Sequence, residues 1–386
     1  MTGFGFPTLA LLVAIGLAGP LLASLPGVRI PVVIGELLVG VAVGKTGLGL
    51  VDHTDPTFTL LANVGFALVM FVVGTHVPVR DAALRSSIPK ALVRAVLVGA
   101  VAAVLGVALA AIFHTGHAAL YAVLMASSSA ALALPVMNSL SLGGPQVLSA
   151  TAQIAIADAA SIVLLPLVID PSRAVRAALG GLAIAACAIV MFLVLREGDR
   201  SGWRKRVHRY SEQHGFALEL RFSLLILFVL CALATTTHVS IMLAGFALGL
   251  VIAAVGPPRR LARQLFGITE GFFAPLFFIW LGSSLQIREL GARPGFILLG
   301  IGLGVGALLA HCAARMLGLP LTLAVLSGAQ LGVPVAAATL GTQQHLLAAG
   351  EPSAMMLGAL LTIASTSIAG VLAAKRQSAG SKEAAA

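Results

Sequence analysis

Long runs of apolar residues, separated by short charged connections, fill this sequence from residue 8 to residue 374. Hydrophobic residues make up 59% of the 386 residues and charged residues only 10%, whereas soluble domains carry about 25% charged residues. Because a bilayer offers no water to backbone polar groups, such runs cross it as hydrogen-bonded helices. We therefore expect an all-α polytopic membrane protein that forms a single membrane unit.

Hydropathy predicts about thirteen spans. Their approximate limits are 8–26, 30–44, 58–77, 90–113, 117–140, 146–169, 174–196, 218–236, 239–256, 268–286, 294–317, 319–340 and 353–374. The connections on one side carry seventeen Lys and Arg residues, and those on the other side carry five. The positive-inside rule then predicts an external N-terminus and a cytoplasmic C-terminus. We expect no cytosolic regulatory domain after Lys375.

The formal net charge of +10 is explained by the membrane topology, because the basic residues lie in the connections between the apolar runs. The sequence has no phosphate-binding loop and no stripe of basic and aromatic residues, so we do not expect nucleic acid as a partner. The lipid bilayer is the expected partner, and the cluster from Arg200 to Arg209 is interpreted as an anchor to anionic lipid. With no nucleophile–base pair and no metal-type spacing, we expect neither an enzyme nor a cofactor.

Similar segments recur in the two halves of the chain. Gly74 and Gly282, at an offset of 208, are each followed six residues later by an Arg–acid pair. Gly40 and Gly249 match at an offset of 209. Under the predicted topology the first Arg–acid pair faces the cytoplasm and the second faces outside. We infer two inverted repeats, at about 8–169 and 218–374, joined by a helix at 174–196.

Helix-disrupting residues occupy corresponding spans of the two repeats. The residues at these predicted breaks are Ser127, Ser128, Ser129 and Pro135 in the fifth span, and Gly328, Gly332 and Pro334 in the twelfth. Proline removes a backbone donor, and glycine loosens a helix. Inverted repeats with interrupted helices are typical of secondary transporters, and the interruptions indicate the binding site. Two broken helices that cross leave opposed dipoles, which need compensating charge.

Asp158 lies near the middle of the apolar span at 146–169. An ionisable side chain at membrane depth costs about 2.5–3.5 kcal/mol even on an insertion scale, so it usually serves a function. We interpret Asp158 as the carrier of a proton and of a monovalent cation. Ser127, Ser128, Ser129 and Gln153 are the other candidate ligands, with helix packing or a packing hydrogen bond as the alternative.

Four further titratable residues are candidates for access or pH sensing: Glu36, His76, Glu270 and His311. Glu36 could instead pair helices, and Glu270 could be a solvated cap. His76 could be an interfacial residue. His311 could be a hydrogen-bonded core histidine rather than a pH sensor.

Four segments together carry a family resemblance. They are Pro31-Val-Val-Ile-Gly-Glu-Leu-Leu-Val-Gly40, Phe71-Val-Val-Gly74, Ala126-Ser-Ser-Ser-Ala130 with Pro135, and Phe272-Phe-Ala-Pro-Leu-Phe-Phe-Ile-Trp-Leu-Gly282. The chain resembles bacterial sodium(potassium)/proton antiporters of the second cation:proton antiporter family, within the sodium/hydrogen exchanger superfamily. The resemblance implies crossed discontinuous helices, a core domain, a dimerisation domain and a homodimer in the bacterial inner membrane. It also implies alternating access and matches the essential aspartate to Asp158.

The chain departs from this family at the site itself. Ala157 stands where an Asp, Asn or Gln usually precedes the aspartate, and no charge is found near Gly306, where many members carry Lys or Arg. His76 replaces a frequent acidic residue. A single carboxylate predicts one-for-one, electroneutral exchange of sodium or potassium for a proton. The alternatives are an organic-anion transporter on a similar fold and a transport-inactive or sensor homologue.

Overall fold

A computed structural model describes residues 4–24, 32–77, 79–80, 82–169, 174–237, 239–256, 259–284, 294–343, 346–348 and 350–383. Every regular element in these ranges is helical. The α-helices are α1 (Phe6–Gly16), α2 (Ala18–Ala23), α3 (Val32–Val43), α4 (Pro56–His76), α5 (Ala82–Phe113), α6 (Ala118–Ala126), α7 (Ala130–Ser139), α8 (Pro145–Ile169), α9 (Ala174–Arg200), α10 (Trp203–His214), α11 (Leu218–Thr236), α12 (Ile241–Val255), α13 (Arg259–Ile268), α14 (Ala274–Ser284), α15 (Pro294–Cys312), α16 (Leu321–Ser327), α17 (Gly332–Gln343) and α18 (Glu351–Glu383). A π-helical turn, Thr269–Phe273, joins α13 to α14, and a 3₁₀ turn, Ala313–Leu317, follows α15.

Within the described ranges, eleven helical segments are long and apolar enough to cross a membrane. Helix α12, with 15 residues, and helix α3, with 12, are shorter but lie at two further predicted spans. The total of thirteen spans therefore stays a prediction. Pro31 and Arg288, which support the resemblance and the repeat, lie outside the described residues.

The outer surface of several helices is apolar. In α9, Leu182 is 66% exposed and Ile189 is 60% exposed, and Val104 of α5 is 71% exposed. Large contiguous apolar surfaces are unfavourable in water. These faces therefore suit acyl chains, as expected for helices that cross a bilayer.

Close helix contacts recur between the two halves of the chain. Helix α4 packs on α12, and α3 packs on α14. A Cβ atom on Gly249 would lie 2.4 Å from the carbonyl oxygen of Phe71, and one on Gly282 would lie 2.2 Å from that of Leu37. Gly249 faces Gly74, and Gly282 faces Gly40. In the sequence, Gly74 matches Gly282 and Gly40 matches Gly249, so each contact joins one member of each matched pair. Equivalent positions thus make reciprocal contacts, as an internal repeat requires.

Two of the apolar segments are broken in their middle. The first is interrupted between α6 and α7, where Ser127 and Ser129 adopt extended backbone conformations with ψ of 147° and 104°. The second is interrupted between α16 and α17, at residues 328–331. Gly328 caps the end of α16, and Gly332 begins α17. Pro334 is the third residue of α17, where the missing N–H costs no helical hydrogen bond.

Pro135 requires a correction. It does not lie at the break, because α7 begins at Ala130 and continues through Pro135 to Ser139. The helix is interrupted at Ser127–Ser129 instead. The hydroxyl of Ser127 donates a hydrogen bond to the carbonyl of Leu124, at the end of α6. Serine side chains compete with the backbone in this way.

The long polar connection between the halves contains a helix of its own, α10. Arg204 joins this helix to its surroundings through a 2.7 Å ion pair with Asp199 and a 3.0 Å hydrogen bond to the carbonyl of Gly256. Lys205, Arg206 and Arg209 are exposed. Their role as an anchor to anionic lipid stays a prediction.

Candidate functional site

Asp158 lies inside the protein, at the first break. It is carried by α8, which buries one face against α5, α6, α16 and α17, and it is only 1% exposed. Its Oδ2 accepts a 3.0 Å hydrogen bond from the backbone N–H of Ala130, the first residue of α7. Helix N-termini carry partial positive charge and stabilise anions. The carboxylate therefore supplies the compensating charge that the broken helix needs.

Two buried oxygen atoms, on residues at or next to this contact in the chain, have no hydrogen-bond partner among the described residues. They are Oδ1 of Asp158 and Oγ of Ser129, the residue directly before Ala130, and Ser129 is 2% exposed. Buried polar atoms without partners are costly and rare in native proteins. A carboxylate and a hydroxyl oxygen are hard ligands, so this pair fits a monovalent cation or a proton. No group of three His, Cys, Asp or Glu side chains in the described ranges is arranged to hold a metal ion.

The second break crosses the first. The hydroxyl of Ser128 donates to the carbonyl of Ser327, at the end of α16, over 2.6 Å. In the opposite direction, the side-chain amide of Gln330 donates to the carbonyl of Leu124, near the end of α6, over 2.5 Å. These two reciprocal bonds hold the unwound segments against each other. The helix ends that lie here are thus satisfied by side chains of the other broken span.

Of the remaining predicted ligands, the other two serines differ from Ser129, whereas Gln153 is unpartnered like it. The hydroxyl of Ser127 is engaged with Leu124, and that of Ser128 with Ser327. Gln153 is buried on α8, and neither of its side-chain polar atoms has a partner among the described residues. Five residues separate it from Asp158, which turns it to a different side of the helix.

The two positions that depart from the family pattern are filled by apolar packing. Ala157 is buried beside Asp158. Gly306 faces Met125 of α6, and a Cβ atom added there would lie 2.5 Å from the Met125 sulfur. A side chain at position 306 would require the flexible end of Met125 to move. The polar group that α15 extends to the crossover is His311, which contacts Ser128.

Glu36, Glu270 and His76 form a second group. Glu36 of α3 is 4% exposed, whereas Glu270 in the π-helical turn and His76 at the end of α4 are exposed. Glu270 interacts electrostatically with both Glu36 and His76. The ring of His76 donates from Nδ1 to the carbonyl of Val72 over 2.9 Å. Their roles in access or pH sensing stay predictions.

Sequence reasoning missed two sets of residues. Gln330 lies between Gly328 and Gly332, which indicated the second break. A polar residue at that position could have been recognised from the sequence as part of the site. The other set joins α6 to α18: Glu351, 0% exposed, accepts hydrogen bonds from Tyr121 and His117, each at 2.6 Å. Glu351 and Tyr121 are 230 positions apart in sequence, so no local pattern indicates this pairing.

A helical membrane protein whose two broken helices cross beside a buried carboxylate has the architecture of an ion-coupled secondary transporter. The model of one protein family, described as "Sodium/hydrogen exchanger, transmembrane", matches residues 9–374. The chain belongs to this family and is a multi-pass integral membrane protein. The predicted membership of the sodium/hydrogen exchanger superfamily is confirmed.

Two relatives carry related names. The chain is 25% identical over 383 residues to "Putative Na(+)/H(+) antiporter YjbQ" of Bacillus subtilis (strain 168), covering 92% of this chain and 61% of that protein. It is 24% identical over 276 residues to "Probable Na(+)/H(+) antiporter 3" of Methanocaldococcus jannaschii, covering 68% and 67%. The chain thus spans about three fifths of the length of the first relative.

Two solved structures share the fold. Both are of the sodium proton antiporter MjNhaP1 from Methanocaldococcus jannaschii, and each is 16% identical to this chain. The structure at pH 8 has a TM-score of 0.60 and the alignment covers 95% of both chains. The electron-microscopy structure has a TM-score of 0.66, with 96% of this chain and 94% of that chain covered. The predicted all-α membrane fold is confirmed.

Proposed function

We propose that this protein exchanges a monovalent cation, sodium or potassium, for a proton across a bacterial inner membrane. One observation carries the proposal: buried Asp158 caps the first break and has an unpartnered Oδ1, and the hydroxyl of Ser129, the residue before the Ala130 that Asp158 caps, is also unpartnered. The family membership and the names of the two relatives support the same activity.

In the proposed cycle Asp158 holds the two ions in turn. A cation binds between Oδ1 of Asp158 and Oγ of Ser129, while the N–H of Ala130 keeps Oδ2 in place. A proton arriving at the carboxylate neutralises it and releases the cation, because one carboxylate balances one positive charge. When the cation leaves on one side and the proton on the other, the two fluxes are coupled.

The same site implies the remaining features of the proposal. One carboxylate that carries one charge in each direction gives electroneutral exchange. Alternating access follows if the broken helices and α8 move together as a core against the rest of the protein, in a homodimer. The expected orientation has the N-terminus outside and the C-terminus in the cytoplasm.

Everted membrane vesicles with a pH-sensitive dye test this activity. Sodium, potassium or lithium added to energised vesicles releases dye quenching if the wild type exchanges that cation for protons. We expect Asp158→Asn to abolish this response, because an amide neither binds a proton nor balances a cation. Glu212→Gln, which neutralises an exposed carboxylate of α10, serves as the control. Equal responses from wild type and Asp158→Asn would overturn the mechanism.

The two alternatives predict different results in the same vesicles. An organic-anion transporter would respond to a carboxylate substrate and not to alkali cations alone. A sensor or inactive homologue would give no cation-dependent proton movement at all. The sequence from Gly304 to Leu309 contains no Lys or Arg, which counts against the first, because an organic anion needs a basic partner at the crossover.

A further inference from the structure

His311 is fully buried at the point where α15 meets both broken spans. Its Nδ1 lies 3.0 Å from the carbonyl of Ala307, one turn earlier in α15. A carbonyl only accepts hydrogen bonds, so Nδ1 carries a hydrogen and donates it. In the neutral imidazole this leaves Nε2 as an acceptor, and the ring is held in one orientation.

The ring contacts both breaks. Its Nε2 lies 3.3 Å from the hydroxyl oxygen of Ser128, which belongs to the first break. That hydroxyl has one hydrogen and also faces the carbonyl of Ser327, at the end of α16, over 2.6 Å, so the carbonyl and Nε2 share the hydrogen as two acceptors. The backbone of Gly328 packs on the ring, since a Cβ atom there would lie 3.4 Å from Cγ of His311. One side chain thus joins α15, the first break and the second break.

Ser128 is the direct neighbour of Ser129, and Ala130 follows. A displacement of Ser128 therefore moves both the free hydroxyl and the N–H that holds Asp158. We propose that His311 is a positioning residue: through Ser128 it fixes the geometry of the two breaks, and with it the cation-binding oxygens. This inference rests on the proposed function, because it names the residue that holds that same site in shape.

Two substitutions separate the contacts of the ring. The short amide of His311→Asn can keep the bond to Ala307 but cannot reach Ser128. The longer amide of His311→Gln can reach Ser128. We expect His311→Asn to raise the sodium concentration for half-maximal proton exchange about fivefold, the factor that one neutral hydrogen bond contributes. We expect His311→Gln to stay within about twofold of wild type.

A double-substitution cycle distinguishes positioning from packing. In a Ser128→Ala background, His311→Asn should cause no further change in the sodium concentration for half-saturation, since the contact between His311 and the Ser128 hydroxyl is already absent. A general loss of stability would lower the amount of folded protein and the maximal rate instead, so the unfolding temperature is measured alongside. Cys312→Ala, next in α15, is the matched control and should leave half-saturation unchanged.

Each result decides the proposal. Wild-type half-saturation in His311→Asn, or independent effects of His311→Asn and Ser128→Ala, would overturn it. If His311→Asn does not fold, His311→Gln decides, and a fivefold increase there would count against the proposal. If the wild type exchanges no cation, the proposed function fails separately. The double-substitution cycle of His311→Asn and Ser128→Ala is then measured by unfolding temperature. Non-additive changes support a contact through His311 between the two breaks, and additive changes refute it.

Discussion

At the scale of single residues, the three serines of the first break have different environments although they are adjacent in sequence. Ser127 and Ser128 donate to backbone carbonyls, whereas the hydroxyl of Ser129 has no partner among the described residues and adjoins the Asp158 contact. A hydroxyl that is already engaged must break a hydrogen bond before it changes its orientation. Ser129 is therefore the serine that suits an ion.

This difference predicts a different response to removal of each hydroxyl. Ser129→Ala should raise the sodium concentration for half-maximal exchange about fivefold to tenfold, because a cation loses one oxygen ligand. Ser127→Ala should change it less than about twofold, since only a bond within α6 is lost. Dye-quenching titrations of the two variants measure this ratio. Equal effects of the two substitutions would show that Ser129 is not a ligand.

At the scale of elements, glycine contacts between α3 and α14 and between α4 and α12 allow the backbones to touch. Small residues at helix interfaces have this effect in membranes, where no hydrophobic force draws helices together. The two contacts use positions that correspond in the two halves of the sequence. Each half therefore contributes one partner to each contact, and neither contact can form from one half alone.

Alanine at these glycines should destabilise the protein. Gly282→Ala puts a methyl group 2.2 Å from the carbonyl of Leu37, and overpacking of this kind costs about 1–3 kcal/mol. Gly249→Ala should cost a similar amount at the reciprocal contact. The control is Gly99→Ala in α5, where a Cβ atom meets nothing within 4 Å, so helix propensity should make it neutral or stabilising. Thermal unfolding in detergent compares the three, and a Gly282→Ala variant as stable as Gly99→Ala would contradict the packing argument.

At the scale of the whole molecule, the charge that crosses the membrane follows from the number of carboxylates at the crossover. Ala157 contributes no second charge beside Asp158, and Gly306 contributes no basic partner. The proposed site therefore carries one positive charge inward for each one it carries outward. Moving a net elementary charge would couple the cycle to the potential by about 2.3 kcal/mol per 100 mV.

We therefore expect the rate of sodium/proton exchange in proteoliposomes to be independent of membrane potential. The rate is measured with an internal pH dye while an ionophore sets the potential to positive, zero or negative values. A rate that follows the sign of the potential would mean that net charge moves and that a further group binds ions. The same vesicles should need more sodium for half-saturation as the pH falls, because protons compete for Asp158.

The sequence by itself determined the class of the protein and most of its helices, and it indicated Asp158 as the candidate carboxylate. These follow from local composition: apolar length selects membrane helices, serine and glycine runs interrupt them, and a charge in an apolar span is too costly to be incidental. Pro135 shows the limit of this reasoning, because proline disfavours a helix locally while α7 nevertheless continues through it.

Only the tertiary structure decided which atoms meet. Gln330 and Leu124 are separated by 206 positions in sequence, Ser128 and His311 by 183, and Asp158 and Ala130 by 28. Whether a given serine is free or engaged depends on which carbonyl the opposite helix end brings to it. Hydrogen bonds form over about 3 Å, and the distances between helices are set by packing of the whole bundle, which no local pattern records.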